Sequence, residues 1–521
     1  MGRYACVTYG WTVQTDAIPS AAASVPSSRG MESLLGGLLL TLCLAAWLLG
    51  GGSGWSGDRA LAIPAVLLMN LAWLARWPGK PSPSRWLLLG VPAIVVVLPL
   101  LQLIPLPSAL WPMLPGRAPI AAALAEAGVA PAYPAWSIEP ARTEAALWGL
   151  CVPMAVYGSM LMLSTVWQRR IVLLAIAVGV LNVLLSLAQI QGSGDESLYL
   201  GWNHNASGAV GLFANRNHLA DFLVALIPMA VAVWLGDDAV SPGRPRWSVG
   251  RVTLGLATVF LAVGVTGTQS RTGFALLMAI VVACGLWAWH RKRTTGGASQ
   301  RWMQGAFVLT VLLVLQYTLY GLLMRLSEDP LDDLRWFFAK NALQVASLTH
   351  GVGWGIGSFP HAYDLIGDAS ADLAVYVNHV HNDYLELWLE GGVAAALLTA
   401  VAVLGVVVRW VGVLRGRAPG GSANAAWATG AGLGLLAILL HSIVDYPLRT
   451  TAIDTYAAVL LALLVAPSPA ASERVAASRT PVVGLSEAAN DAALSGQDSA
   501  VAQVIAPSWS PVASRKNLDE T

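Results

Sequence analysis

Apolar runs about as long as a bilayer core is thick recur along this chain, and they constrain its fold more than any other feature. A helix crosses the hydrocarbon region with about 17–25 residues. Stretches of roughly that length fall at 34–50, 60–75, 86–105, 144–164, 171–190, 218–236, 250–268, 272–289, 304–323, 385–408, 424–441 and 450–466. A helix bonds its own backbone and so tolerates lipid. Composition agrees: 56% of the 521 residues are hydrophobic and 11% are charged, against about a quarter charged in a soluble domain. The expected fold is an all-α polytopic membrane protein with about twelve transmembrane helices. Many of the Trp residues (Trp55, Trp77, Trp86, Trp111, Trp136, Trp167, Trp202, Trp302, Trp410) stand at the ends of these runs, where an amphipathic ring meets the headgroups.

The intervals between runs alternate in charge. Alternate intervals hold Arg76, Lys80 and Arg85; Arg169 and Arg170; Arg244, Arg246 and Arg251; Arg291, Lys292, Arg293 and Arg301; and Arg409, Arg415 and Arg417. The others hold only Arg59, Arg117, Arg142, Arg216, Arg271, Arg325, Arg335, Lys340 and Arg449, over many more residues. Basic residues collect on the cytoplasmic side, so both termini are expected there. Residues 1–33 are expected to be a disordered N-terminus, with Met31 as a possible true start and no signal peptide. Residues 34–466 form the membrane domain, and the Ala/Ser/Pro-rich stretch 467–521 reads as a disordered tail. A net charge of +1 gives no field for nucleic acid, and the scattered cysteines Cys6, Cys43, Cys151 and Cys284 suggest neither a disulfide framework nor a metal site.

The outward intervals carry the chemistry. The longest runs from 324 to 384, its first part patterned for a surface helix over 331–348 and followed by Gly351-Val-Gly-Trp-Gly-Ile-Gly357, which reads as a flexible turn. It ends in Asn378-His-Val-His-Asn-Asp-Tyr-Leu-Glu386 and enters an apolar run. Ionisable groups at such a boundary cost about 2.5–3.5 kcal/mol each if pushed to mid-membrane, and so tend to have a function. His381 reads either as a general base for a hydroxyl proton or as an interfacial imidazole bonded to backbone. His379 reads as solvated, with the positioning of a substrate as the alternative. Arg216, Arg271 and Arg335, on separate outward loops, have the planar donor fork that suits a diphosphate; snorkelling at the interface is the alternative. Glu328, Asp329, Asp332 and Asp333 offer oxygen ligands of the kind a hard cation takes, but their spacing matches no metal loop and they read as a solvated acidic face. His441 and Asp445 are expected to pair with each other, or with Arg449, and fix their short turn.

Several pieces together resemble the O-antigen ligase and polymerase superfamily of bacterial membrane glycosyltransferases. They are Gly211-Leu-Phe-Ala-Asn-Arg-Asn-His-Leu-Ala220, Gln269-Ser-Arg-Thr-Gly273, Arg335 with Gly353–Phe359, His379–Glu386 with Glu390-Gly391, and His441-Ser-Ile-Val-Asp-Tyr-Pro-Leu448. One departure is Leu348-Thr-His-Gly351, where the family often has a His-Pro pair. The resemblance implies a GT-C-like membrane enzyme of the bacterial inner membrane, with one long periplasmic loop. The reaction it implies is metal-independent transfer of a glycan from undecaprenyl diphosphate to a hydroxyl, without a cofactor. His381 would be the base and Arg271 would act with it on the leaving group. Arg216, Arg335, His379, Asn382 and Glu386 would contact diphosphate or glycan, and His441 and Asp445 would support the outer turn. The acceptor would be a growing glycan, lipid A–core or protein. A flippase is the rival from another class, and it calls for ionisable groups near mid-membrane.

Overall fold

The computed structural model describes residues 28–52, 58–76, 85–129, 133–192, 196–199, 209–240, 248–295, 331–365, 377–417 and 421–466. The helices are α1 (Ser28–Leu49), α2 (Asp58–Arg76), α3 (Arg85–Gln102), α4 (Ala118–Glu126), α5 (Pro140–Met162), α6 (Thr165–Gln191), α7 (Arg216–Val240), α8 (Val249–Gly267) and α9 (Arg271–Thr295). They continue as α10 (Leu331–Ser347), α11 (Phe359–Asp364), α12 (Asp383–Gly412), α13 (Gly421–His441) and α14 (Thr451–Val465). Eleven of the twelve apolar stretches coincide with helices; 304–323 lies outside the described residues, as do 1–27 and 467–521, while residues 28–33, expected to be disordered, form the first turns of α1. Eight of the described helices are long and apolar enough to cross a membrane, and three apolar segments, in α2, α3 and α14, are shorter. The helix expected over 331–348 forms as α10. The side chains of Glu328, Asp329, Asp332 and Asp333 lie outside the described residues.

Helix α7 is the axis. Between Asp221 and Asp237 it is apolar on every face, as a helix segment with no water-facing side must be, and 89% of its apolar 18-residue window is buried. Helix α13 packs along it, with α6, α8 and α9 alongside and α14 joining α13 to α1 and α5. The α7–α13 approach depends on small residues, the usual means of close helix packing in lipid. A Cβ on Gly430 would meet the Pro228 carbonyl oxygen and Ala232, and one on Gly434 the Ala225 carbonyl oxygen.

One end of the bundle gathers chain segments that are far apart in sequence. Gly50 O, past the end of α1, accepts from Ala452 N at 3.0 Å, and Gly51 O accepts from Ala214 N at 3.1 Å. Helices α7, α9, α12 and α14 begin at this end and α13 finishes there. The opposite ends of these helices hold Arg291, Arg409 and Arg415, and Arg409 Nε donates to Leu464 O at 3.0 Å on the C-terminal turn of α14, a favourable place for a cation.

Helix α12 is broken at Gly391-Gly392. Gly392 has φ +60°, ψ −150°, a region open essentially to glycine alone. The break strands backbone groups that cannot be left unpaired in an apolar surrounding. The glycine run supplies their partners: Trp354 N donates to Leu389 O at 3.1 Å, Gly355 N to Glu390 O at 2.8 Å, and Val393 N to Gly351 O at 2.9 Å. Gln102 Nε2 donates to Glu390 O as well, at 3.1 Å. The segment expected to be a flexible turn is therefore a bonded plug. Trp354 within it is buried in a second, smaller core with Phe338, Ala342, Val345, Phe359 and Leu389. Arg117, fully buried, holds the plug by donating to Gly353 O at 2.8 Å and Trp136 O at 2.7 Å, with its guanidinium over the Trp354 ring. Burial lowers its pKa to about 10, which leaves it cationic at neutral pH.

Candidate active site

Of the four helices that start at the gathered end, three are each capped by a side chain of a motif singled out from the sequence. Asn215 Oδ1 accepts from Asn217 N at 2.8 Å and opens α7; Ser270 Oγ accepts from Gly273 N at 3.1 Å and opens α9; Asn382 Oδ1 accepts from Leu385 N at 2.9 Å and opens α12. Such caps satisfy the free N–H groups of a first helical turn. They fix Arg216 and Arg271 as the first residues of their helices and His381 as the residue before the third cap. Gly273 lies so close to Ala220 that a Cβ there would overlap its methyl group, so α7 and α9 begin side by side. His381 (φ +60°) and Gln269 (φ +56°) both have left-handed backbone, uncommon for residues with a side chain and enriched at functional sites.

The turn 442–450 is pinned to α12. Asp383 N donates to Ser442 O at 3.0 Å and Ser442 Oγ donates to Asp383 Oδ2 at 2.9 Å. Asn382 Nδ2 donates to Ile443 O at 2.7 Å. Arg449 reaches back into the same turn of α12. Its nitrogens lie 2.9 Å from Glu390 Oε2, 3.5 Å from Glu386 Oε1 and 3.7 Å from Asp383 Oδ1. Burial alone would lower the Arg449 pKa, but these carboxylates more than offset it and hold the guanidinium above its ordinary range.

Asp445 lies at the centre, with 1% of its side chain exposed. Its Oδ2 accepts from Asn217 Nδ2 at 2.7 Å, and its Oδ1 accepts from Tyr446 N at 2.9 Å. His381 Nδ1 is 3.3 Å from Oδ1, and His218 Nε2 approaches the same oxygen at 3.5 Å. Burial would raise the Asp445 pKa; hydrogen bonding to His218 and His381, and their charge, outweigh burial and hold it well below the usual carboxylate range. An ionised carboxylate only accepts. Nδ1 of His381 is then the protonated nitrogen, and in the neutral imidazole Nε2 keeps a free lone pair.

Tyr446 separates the imidazoles. Its ring stacks on His379 at 4.1 Å and meets His381 and His218 edge-on at 4.9 and 4.7 Å. Burial raises the pKa of its phenol, and nearby Asp445 and Glu386 add to this against hydrogen bonds with Asn215 and Asn378. It is neutral at physiological pH. His379 is 16% exposed and bonded through Nδ1 to Glu386 Oε1 at 2.8 Å, so it is a partnered residue where a solvated one was expected. Glu386 is itself buried and also accepts from Val380 N at 3.0 Å. His441 and Asp445 do not pair as expected. Asp221, inside α7, takes His441 Nδ1 at 3.1 Å, and Arg449 pairs with the carboxylates of α12. Apolar packing between α7 and α13 brings Asp221 nearer to His441 than its sequence neighbour four residues on.

Arg335, on α10, comes within electrostatic reach of His441, and among the described residues its guanidinium makes no hydrogen bond or ion pair. Two residues beyond it on the helix, Phe337 and then Phe338 follow, and Phe338 lies parallel to the His381 ring at 6.5 Å. Among the described residues, no group of three or more His, Cys, Asp or Glu is arranged to hold a metal ion. Sequence reasoning assigned no role to Asn217, His218, Asp221, Asp383, Glu390 or Tyr446. A usable signal existed: His218 and Asp221, three residues apart, interrupt the otherwise apolar α7, and an ionisable pair in such a helix asks for a partner.

The features define a polytopic helical membrane protein with a buried acid–imidazole site at one end of its bundle. A family model described as O-Antigen ligase matches residues 256–400, and over that segment the chain is similar to the O-antigen ligase family. The matched segment contains Arg271, Arg335 and His381; Asn217, His218, Asp445 and Arg449 lie outside it. Comparison with curated proteins gives no match.

Proposed function

We propose that the protein transfers a glycan from undecaprenyl diphosphate to an acceptor hydroxyl on the periplasmic face of a bacterial inner membrane, as a ligase or polymerase. The observation that carries this reading is His381, tied at Nδ1 to a buried carboxylate with Nε2 left free. Nε2 takes the acceptor proton as the hydroxyl oxygen bonds to the anomeric carbon. The bond from that carbon to the diphosphate breaks, its electron pair leaves with the diphosphate, and the proton passes from His381 to the diphosphate or to water. Asp445 holds the tautomer and stabilises the imidazolium, a division of labour seen wherever a carboxylate orients a histidine base.

Arg216 and Arg271 open adjacent helices, where the dipoles and first-turn N–H groups favour an anion. Fixed guanidinium groups there would stabilise the charge growing on the departing diphosphate without reorganising. Arg335 is the third cation of the set. His379, Asn382 and Glu386 act indirectly in this scheme, by shaping the His381 loop. The arginine-rich opposite end of the bundle would face the cytoplasm.

The test is His381→Ala in cells. Loss of a general base costs about 10²–10⁴-fold in rate. Surface glycan should disappear while intact lipid-linked donor accumulates facing the periplasm. Wild-type glycan in that strain would end the assignment of His381, and donor trapped facing the cytoplasm would favour a flippase.

A further inference from the structure

Asp445 holds two imidazoles, and the proposed proton transfer uses only one of them. A carboxylate has about four lone-pair sites; Asn217 Nδ2, Tyr446 N and His381 Nδ1 bond to Asp445, and His218 Nε2 approaches it at 3.5 Å. Only 2% of the His218 side chain is exposed, and its buried Nε2, which makes no hydrogen bond, lies 3.5 Å from that carboxylate. The Tyr446 ring wedges between the imidazoles, and α7, the most buried helix, fixes Asn217 and His218 from below.

We propose that Asn217 and His218 are positioning residues that set how strongly Asp445 holds His381, an inference whose catalytic meaning rests on His381 being the base. Every donor that draws on the carboxylate weakens its pull on the others. Two polar groups from α7 thus leave His381 oriented but held less strongly than an undivided carboxylate would hold it. The other titratable or charged groups around the trio are His379 with Glu386, Tyr446, His441 with Asp221, Arg335 on α10, Arg216 at the start of α7, and Arg449 with Asp383 and Glu390. All of these persist when His218 alone is changed.

The experiment needs no glycan substrate. Diethyl pyrocarbonate acylates only neutral imidazole, and fragment-ion mass spectrometry of the full chain in detergent gives the pH midpoint of its reaction at His381, which is 24% exposed. His218→Leu removes a donor and should raise that midpoint by about half to one pH unit, the range of a single hydrogen bond's effect on titration. His218→Gln, which can place an amide N–H where Nε2 stood, should bring the midpoint back to the wild-type value. Should the Leu variant not fold, Asn217→Ala frees the other oxygen and should raise the midpoint too. A midpoint unmoved by His218→Leu, or by Asn217→Ala where that variant stands in, overturns the proposal. Equal shifts in the Leu and Gln variants also overturn it, because they would report packing. If His381→Ala cells keep their glycan, the base reading fails whatever the titration gives; a missing shift defeats the tuning alone.

Discussion

Asp445 is an acceptor shared among residues 217, 218, 381 and 446, and its ionisation stabilises the folded protein. Its folded pKa lies well below the unfolded value of about 3.9. The sign follows: the stabilisation is complete above that unfolded value and is lost as the pH falls below it towards the folded one. Acid unfolding in detergent, followed by tryptophan fluorescence, should therefore show a steep loss of stability below about pH 4, and Asp445→Asn should flatten it. An unchanged acid limb in that variant would mean the carboxylate is not the group being titrated. The polarity of residues 378–386 marked this stretch as a site, but nothing local to it pointed to Asp445, 64 residues further on, as the partner of His381. That pairing exists because α12 begins where α13 ends, a tertiary fact with no periodicity to announce it.

Among the elements, the broken helix α12 and the turn 442–450 carry the geometry. Gly392→Ala would place a methyl group over the Gly351 carbonyl oxygen in a backbone region closed to alanine, so loss of folded protein on size-exclusion chromatography is the expected result. Arg449→Met would leave Asp383, Glu386 and Glu390 buried without their cation, a change that costs about 3–5 kcal/mol when a buried pair is broken from one side. Its thermal unfolding should move down sharply, and Arg449→Lys should recover only part of the loss, because a point charge cannot span three carboxylates as a planar fork does. The break was half legible. Glu390-Gly391-Gly392 stood out, but the glycine run that bonds to it reads locally as a mobile turn, and Gln102, 288 residues from Glu390, gives no sign of its role.

For the whole molecule, the positions of the apolar helices were readable because length and apolarity mark such a helix, whatever it packs against. Packing order was not readable, since lipid-facing and buried apolar residues look alike in sequence. The charge alternation makes a direct prediction about sidedness. In a chain stripped of its native cysteines, Val129→Cys, exposed beyond α4, should react with an impermeant maleimide on intact spheroplasts, and Arg415→Cys, exposed past α12, only after lysis. Both reacting from one side would overturn the orientation.

The scattering of one carboxylate's partners along the chain also has a consequence for biogenesis. Arg271, Arg335 and His381 leave the ribosome well before the turn that holds Asp445 and Arg449. Until α14 is inserted, His381 lacks its anchor, and the acidic side of α12 lacks its counter-ion. A nascent chain in that interval is an incomplete catalyst carrying uncompensated charge, which favours quality control that waits for the final hairpin. A stop codon just after α13 should then yield a rapidly degraded polypeptide, although every residue of the family-matched segment would be present.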